Sequence, residues 1–462
     1  MEFRNNLNYS GGNGSIFKIT LPPDILQTIR EIAAEVSKRG YELCIVGGAV
    51  RDIVSGKVPH DVDMVSSAAP EELKQIFPDI QLSGASFGVM RLRRSGFEFE
   101  IASGRKERTY LDGRHPESVQ YTRNLDEDAE RRDFTFNAMR LDPLSGKLFD
   151  PAGGLHDLER GVLRTVGEPE QRFKEDYLRM LRAIRFAARS NFEIEEKTWN
   201  AICKLSPLAA EISGERIYDE LTRILTGRFP HRAIRLMADC GLLRAVLPEV
   251  DAMRGVTQPP EFHPEGDVFE HTLLMLEHMV YPDELLAWSV LLHDVGKPLT
   301  RSVEESGRIR FFCHEEKGAQ LVCNIAERLH FSVRSRDAVA GAVRNHMRMA
   351  YVPEMKKAKL KKIMANEHFA LEVELNRLDC LCSNKIMTSF LFFCDELRKD
   401  PEQKLLHLPE QWVMGRDLIA AGFPPSPRFK KVLDEVFDRQ LADEFENKDA
   451  ALLWAINAMK ND

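Results

Sequence analysis

The stretch from Tyr41 to Ala68 constrains the fold more than any other part of the chain. Leu43 to Val46 read as a buried strand and Gly47-Gly48 as a turn; a helical piece starts at Ala49, and a second strand carries Asp61 and Asp63. Side chains alternate along a strand, so carboxylates two residues apart project from one face. Such a pair can hold divalent cations side by side, and ions clamped this way stabilise the attacking and leaving oxygens of an in-line displacement at phosphorus. The two glycines leave room for a triphosphate to approach backbone N–H groups. Asp-Val-Asp alone would more simply be a solvated surface strand. Its spacing from the Gly-Gly turn favours phosphoryl chemistry.

The chain has 462 residues, enough for about three domains of ~150 residues. No apolar run reaches the roughly 18 residues of a membrane span, and the opening MEFRNNLNYSGGNGSIF lacks the basic and apolar segments of a secretory signal. Eight cysteines without framework spacing read as reduced thiols, which suits the cytoplasm. A net charge of -8 argues against a protein that coats nucleic acid, so an RNA substrate would need local basic patches.

In chain order, Pro22-Pro23 opens a helix with an apolar face of Ile25, Ile29, Ile32 and Val36, and Pro70 to Ile76 forms another. A hairpin follows, Phe87 to Leu92 and Phe97 to Ile101, with Glu98 and Glu100 on one face of its second strand. Glu100 is a candidate third carboxylate if that strand lies beside the Asp61 strand. Residues 102–128 read as a long polar loop, RRDFTFNAM (Arg131 to Met139) as helical, and Glu170 to Ser190 as one helix. Asp176 and Arg179 would then face the same way, with Arg182, Arg185 and Arg189 continuing a basic stripe. Beyond this point the pattern is helical with short connections.

The ordered motifs GGAVRD, DVDMV, RRDFTFNAM, DPAGGLHDLERGVLR, EDYLRMLRAIRF and GERIYDEL resemble those of the class II tRNA nucleotidyltransferases, the CCA-adding enzymes, within the polymerase-β-like superfamily. The resemblance covers about residues 40 to 225. It implies an α+β fold, with a small mixed β-sheet nucleotidyltransferase head followed by all-α neck, body, HD and tail helices. It gives Asp61 and Asp63 the role of ligands to two Mg²⁺ ions, with Glu100 as third acid. Gly47, Gly48, Arg51, Arg132, Asp133 and Asn137 would surround triphosphate and ribose, with Arg182 and Arg185 also in the nucleotide site. Asp176 and Arg179 fall where the family reads the incoming base.

Cytosine and adenine both present an amino donor beside a ring-nitrogen acceptor, which a carboxylate and a guanidinium complement. Uracil and guanine reverse that pattern and would leave both side chains unpaired. After the third acid, Gly104 stands where relatives have an apolar or aromatic residue. The loop is otherwise full length, with Asp112, Arg114 and Pro116 in place, which by resemblance favours complete CCA addition or addition of the terminal A alone.

A second constellation follows: His271, the His293-Asp294 pair, His314, His346 and Asp379. A lone helical histidine is most often structural, but this set suits a hard or borderline divalent cation. Its order resembles the HD-superfamily phosphohydrolases. The resemblance implies one site from His271, His293, Asp294 and Asp379, a second ion at His314 and His346, and Lys297 on phosphate. The lysine run at 356–362 is more simply a solvated helix face than an RNA contact, and Met414 to Phe429 resembles a helix-turn-helix tail. The expected domains are a head (1–150, with a leader over 1–20), neck and body (151–255), HD domain (256–395) and tail (396–462).

The leading expectation is template-independent addition of CCA to tRNA from CTP and ATP, with an HD phosphohydrolase activity alongside. The alternatives are an enzyme adding only A, a poly(A) polymerase, a chain that is chiefly an HD phosphodiesterase or phosphatase, and a non-catalytic RNA-binding scaffold.

Overall fold

A computed structural model describes residues 14–82, 88–110, 116–261, 263, 266–400, 402 and 404–460. Asp112, Arg114 and the expected strand start at Phe87 lie outside them. The chain divides into two compact units, Met1–Pro248 and Glu249–Asp462.

In the first unit, α1 (Pro23–Lys38) buries Ile29, Ile32, Ala33 and Val36, the face that its apolar spacing predicts. Strand β1 (Leu43–Val46) is buried along its whole length. After it come α2 (Gly48–Val54), β2 (Asp63–Ser66), α3 (Pro70–Ile76), β3 (Gln81–Leu82), β4 (Val89–Arg94) and β5 (Phe97–Ser103). With β6 (Arg105–Tyr110), β7 (Pro116–Tyr121), α4 (Leu125–Glu130), β8 (Arg140–Leu141) and β9 (Leu148–Phe149), they complete the head. The main sheet has the order β3-β4-β5-β2-β1-β8-β9. Strand β2 runs antiparallel to β1 but parallel to β5, so the sheet is mixed as expected.

The β2–β5 register sets Asp63 opposite Glu100. Glu98 lies opposite Arg93 and pairs with Arg91 and Arg93. This register brings Glu100, rather than Glu98, beside the aspartates. Asp61 precedes β2 instead of lying on it, so strand alternation does not orient its carboxylate.

Three local expectations change. The polar segment 102–128 contains the β6–β7 hairpin and α4. Gly104 joins this hairpin to the sheet: its N–H donates to the Ser66 carbonyl at 2.7 Å, and a Cβ there would stand 2.8 Å from Leu125 Cδ2. A side chain there would press on Leu125 and on the Thr122 carbonyl, 3.1 Å away.

RRDFTFNAM forms only a short 3₁₀ turn at Thr135–Asn137. Asp133 Oδ1 accepts from the Phe134 N–H and from Asn137 Nδ2, and the Thr135 N–H donates to the Arg164 carbonyl. Side-chain and cross-chain partners here outcompete the helical ladder.

The expected helix 170–190 is two helices. After α5 (Gly154–Arg160) come α6 (Pro169–Glu175) and α7 (Leu178–Ser190), separated by an extended Asp176 at φ -153° and ψ 107°. The Asp176 carboxylate accepts from the Leu178 N–H at 3.1 Å, satisfying a donor in the first turn of α7. Helix α7 buries Met180, Leu181 and Ile184 completely. At about 1.5–3 kcal/mol for each such side chain, this burial outweighs intrahelical charge pairs worth about 0.2–0.5 kcal/mol. Helices α8 (Glu196–Leu205) and α9 (Gly214–Leu225) pack against α6 and α7.

Among its described residues the second unit is helical apart from one short hairpin, Arg301–Val303 with Ile309–Phe311, and an isolated bridge between Thr257 and Asp267. Helices Val268–His278, Glu284–Leu292, His314–Arg328, Val333–Asn345 and Phe369–Cys382 surround a core that includes Trp288, which is fully buried. Towards the end, Gly415–Ala420 and Pro427–Leu441 form the expected helix-turn-helix and share a core with Lys448–Lys460. Lys357 and Lys361 pair with Asp443, and Lys362 with Asp438, so this part of the lysine run ties helices together.

Candidate active site

The Gly47-Gly48 turn opens onto a cavity of about 480 Å³. Gly47 has a φ of 67°, a conformation that favours glycine, and it leads directly into α2. The cavity is lined by six arginines (Arg51, Arg131, Arg132, Arg179, Arg182, Arg216) against three aspartates (Asp63, Asp133, Asp176). That excess of cations suits a polyanion. Gly47, Gly48, Arg51, Asp63, Arg132, Asp133, Asn137, Asp176, Arg179 and Arg182 therefore meet in one place, whereas Asp61 and Glu100 do not line the cavity. Arg185 does not line the cavity; its guanidinium pairs with the buried Glu220 at 2.5 Å.

Several of these side chains are already engaged. Asp133 Oδ2 accepts two hydrogen bonds from Arg182, at 2.6 and 2.9 Å. Burial pushes the Asp133 carboxyl up, but Arg182 and Asn137 outweigh it and hold it below the usual range. Asp128, 2% exposed in its side chain, accepts from both Arg131 and Arg132. Arg51 donates to Asn137 Oδ1.

At the acidic corner, Asp63 is held above the ordinary carboxylate range, first by the protein packed around it, then by repulsion from Glu100 and Asp61. Arg132 pulls the other way. A bound cation would relieve the repulsion that Glu100 and Asp61 exert on Asp63. Their oxygens are not drawn together within 4.8 Å, and Asp61 is exposed beside His60.

Asp176 and Arg179 both face the cavity, although Asp176 is not helical. The Asp176 carboxylate accepts from Arg216 at 2.8 and 3.0 Å. Arg179 donates to Glu175 at 2.6 Å and to the carbonyls of Arg172 and Arg131. Arg216 and Glu175 were missed as site residues. Both lie inside quoted motifs, GERIYDEL and EDYLRMLRAIRF, but only the fold shows which side chains they hold.

In the second unit, two groups of candidate ligand atoms each lie within 4.8 Å: His271, His293 and the half-buried Asp379, and the buried Asp294, His314 and His346. The expected membership changes, because Asp294 joins His314 and His346. Its Oδ2 lies 3.1 Å from His293 Nε2, while its Oδ1 is 3.5 Å from His314 Nε2 and 3.8 Å from His346 Nε2. One carboxylate thus stands between the two groups.

Three imidazoles are held the same way. Nδ1 of His293, His314 and His346 lies 2.9, 2.8 and 2.6 Å from the carbonyls of Val290, Phe311 and Val343. A proton donated from Nδ1 leaves Nε2 as the free base, the arrangement that a metal ligand requires. Burial holds the His346 imidazole down at about 4 against the pull of Asp294, so it is neutral near pH 7. Burial pushes the Asp294 carboxyl up, but His293 and Lys297 outweigh it and hold it well below the usual range. Lys297 is itself buried between Asp294 at 2.7 Å and Gln258 at 2.6 Å, so its ammonium is spent within the protein. Gln258 was another residue that the sequence did not flag.

Comparisons with known proteins match these parts. The poly A polymerase head domain matches residues 43–164, the probable RNA and SrmB-binding site of polymerase A matches residues 191–254, and the HD domain matches residues 268–370. The CCA-adding enzyme of Ligilactobacillus salivarius is 42% identical over 222 residues, 48% of this chain and 55% of that protein. The CCA-adding enzyme of Geobacillus kaustophilus is 42% identical over 221 residues, 48% of this chain and 54% of that protein. The chain thus spans about half the length of these curated relatives.

Among solved structures, the Bacillus stearothermophilus CCA-adding enzyme in complex with CTP aligns with a TM-score of 0.71 at 27% identity. That alignment covers 95% of this chain and 98% of that one. The Thermotoga maritima CCA-adding enzyme complexed with tRNA shares the fold, with a TM-score of 0.58 at 20% identity over 96% of this chain and all of that one. The resemblance drawn from the sequence motifs and the α+β fold class are both borne out. Among the described residues, no helix is long and apolar enough to cross a membrane.

Proposed function

We propose that this chain, which carries a poly A polymerase head domain and an HD domain, adds CCA to tRNA 3′ ends without a template, transferring CMP and AMP from CTP and ATP. One observation carries the reading: the glycine turn, an acid, an excess of arginines and the Asp176 and Arg179 side chains share a single cavity. Arg51 and Arg132 would bind the triphosphate against the Gly47-Gly48 turn. Asp61, Asp63 and Glu100 would hold two Mg²⁺ ions, which supply charge stabilisation to the attacking and leaving oxygens. Asp176 would accept from the exocyclic amino group of cytosine or adenine while Arg179 donates to the ring nitrogen. Arg216 and Glu175 keep those two side chains oriented before the base arrives. The eight free cysteines suit a cytoplasmic setting.

The HD unit would act separately, hydrolysing phosphomonoesters or cyclic phosphates at RNA ends. His271, His293 and Asp379 would hold one divalent ion and Asp294, His314 and His346 another. Three imidazoles tethered through Nδ1, with their Nε2 atoms turned into the clusters, support this donor set.

The double variant Asp61→Asn, Asp63→Asn tests the assignment. Incorporation of labelled CMP into a tRNA transcript lacking CCA should fall at least about 10³-fold, with HD hydrolysis unchanged. Full incorporation by the variant would reject the reading.

A further inference from the structure

We infer that Phe186 is a positioning residue for triphosphate binding: its ring gathers three guanidinium groups and holds Arg51 towards the cavity. This rests on the nucleotide reading of that cavity and assigns a role to a side chain that neither transfers phosphate nor reads a base. Phe186 lies on α7, is 7% exposed and borders the cavity. The guanidinium carbons of Arg185, Arg51 and Arg182 lie 4.4, 5.0 and 5.4 Å from its ring centroid. Three cations this close would repel one another; the negative face of an aromatic ring offsets part of that repulsion.

The three arginines are not equivalent. Arg185 is neutralised by Glu220 and Arg182 by Asp133. Arg51 donates to the amide oxygen of Asn137, and among the described residues no carboxylate forms an ion pair with it. It is the cation of the trio left for an incoming anion. Burial brings its guanidinium down to about 10, so it remains charged near pH 7. The ring is itself fixed, with its centroid 5.7 Å from that of Phe134 and 5.8 Å from that of Phe136, both in edge geometry. Arg51 also lies 5.5 Å from the Phe136 ring centroid, so two rings and the Asn137 amide oxygen hold it, while Asp52 and Asp133 attract it through space without an ion pair. An acid there would compete with triphosphate; a ring does not.

The test is direct binding of inorganic tripolyphosphate, with cytidine as a probe that lacks the anion, to the full chain. Phe186→Leu keeps an apolar side chain but removes the ring, and Phe186→Tyr keeps the ring. The expected result is tripolyphosphate affinity about tenfold weaker in F186L and near the unaltered value in F186Y, with cytidine affinity and melting temperature close to unaltered in both. Unaltered tripolyphosphate affinity in F186L would overturn the role of the ring while leaving the nucleotide reading intact. Equal loss in F186L and F186Y, with lowered melting temperatures, would also overturn it, since packing alone would then explain the effect. Failure of the unaltered chain to bind tripolyphosphate would overturn both.

Discussion

The head cavity and the HD cluster both combine carboxylates with nitrogen bases, yet they are built in opposite ways. In the HD unit the histidines and Asp294 are buried, three imidazoles are tied by their Nδ1 atoms, and the ligand atoms already converge. In the head, Asp61 and Glu100 are exposed and the three acids do not converge, while Arg131, Arg132 and Arg182 are clamped by Asp128 and Asp133. Fixed ligands suit a resident ion, whereas loose acids beside preset arginines suit a site completed by the nucleotide and its ions. What the fold prepares in advance differs: a convergent set of donor atoms in one unit, oriented guanidinium groups in the other.

This contrast can be broken most sharply at the HD ligands. His346→Ala removes one tethered imidazole, and bound divalent metal, measured by elemental analysis after dialysis, should show an affinity about 100-fold weaker. CMP incorporation should stay within about twofold. Loss of both together would mean that the two centres are not independent.

A smaller effect sharpens the head side. Arg179→Ala should cost about tenfold in the preference for CTP and ATP over UTP and GTP in single-turnover incorporation, with lower turnover as well. Unchanged selectivity would remove Arg179 from base reading.

The smallest expected effect lies in stability. Burial raises the Asp128 carboxyl, but Arg131 and Arg132 outweigh it, so its folded pKa is depressed. The unfolded chain therefore takes up the proton first. The contribution is full above the unfolded carboxylate range and is lost as pH falls through the folded value. Melting curves taken from neutral pH down through the acid range should show a loss of stability that Asp128→Asn flattens. An equally steep curve in that variant would place the pH dependence elsewhere.

Much of this was legible in the residues because it was local. The strand Leu43–Val46 and the helix-forming runs follow from apolar spacing, and the Gly-Gly turn follows from glycine itself. What stayed hidden depends on cross-chain partners. The break before α7 arises because Asp176 satisfies the Leu178 N–H and meets Arg216, forty positions away. RRDFTFNAM has an apolar pattern compatible with a helix, but the partners of Asp133 and Thr135 lie elsewhere in the fold. The choice of Glu100 over Glu98 required the β2–β5 register. In the second unit the sequence supplied the candidate residues, and only the geometry groups Asp294 with His314 and His346 while keeping it beside His293.

The central claim is that the head cavity selects C and A and builds an entire CCA end. Three tRNA transcripts, ending before CCA, after C and after CC, incubated with each nucleoside triphosphate separately, test it most directly. The account predicts growth of the first two with CTP and of the third with ATP, and no growth with UTP or GTP. Growth of the CC-ended transcript alone, with ATP alone, would contradict it.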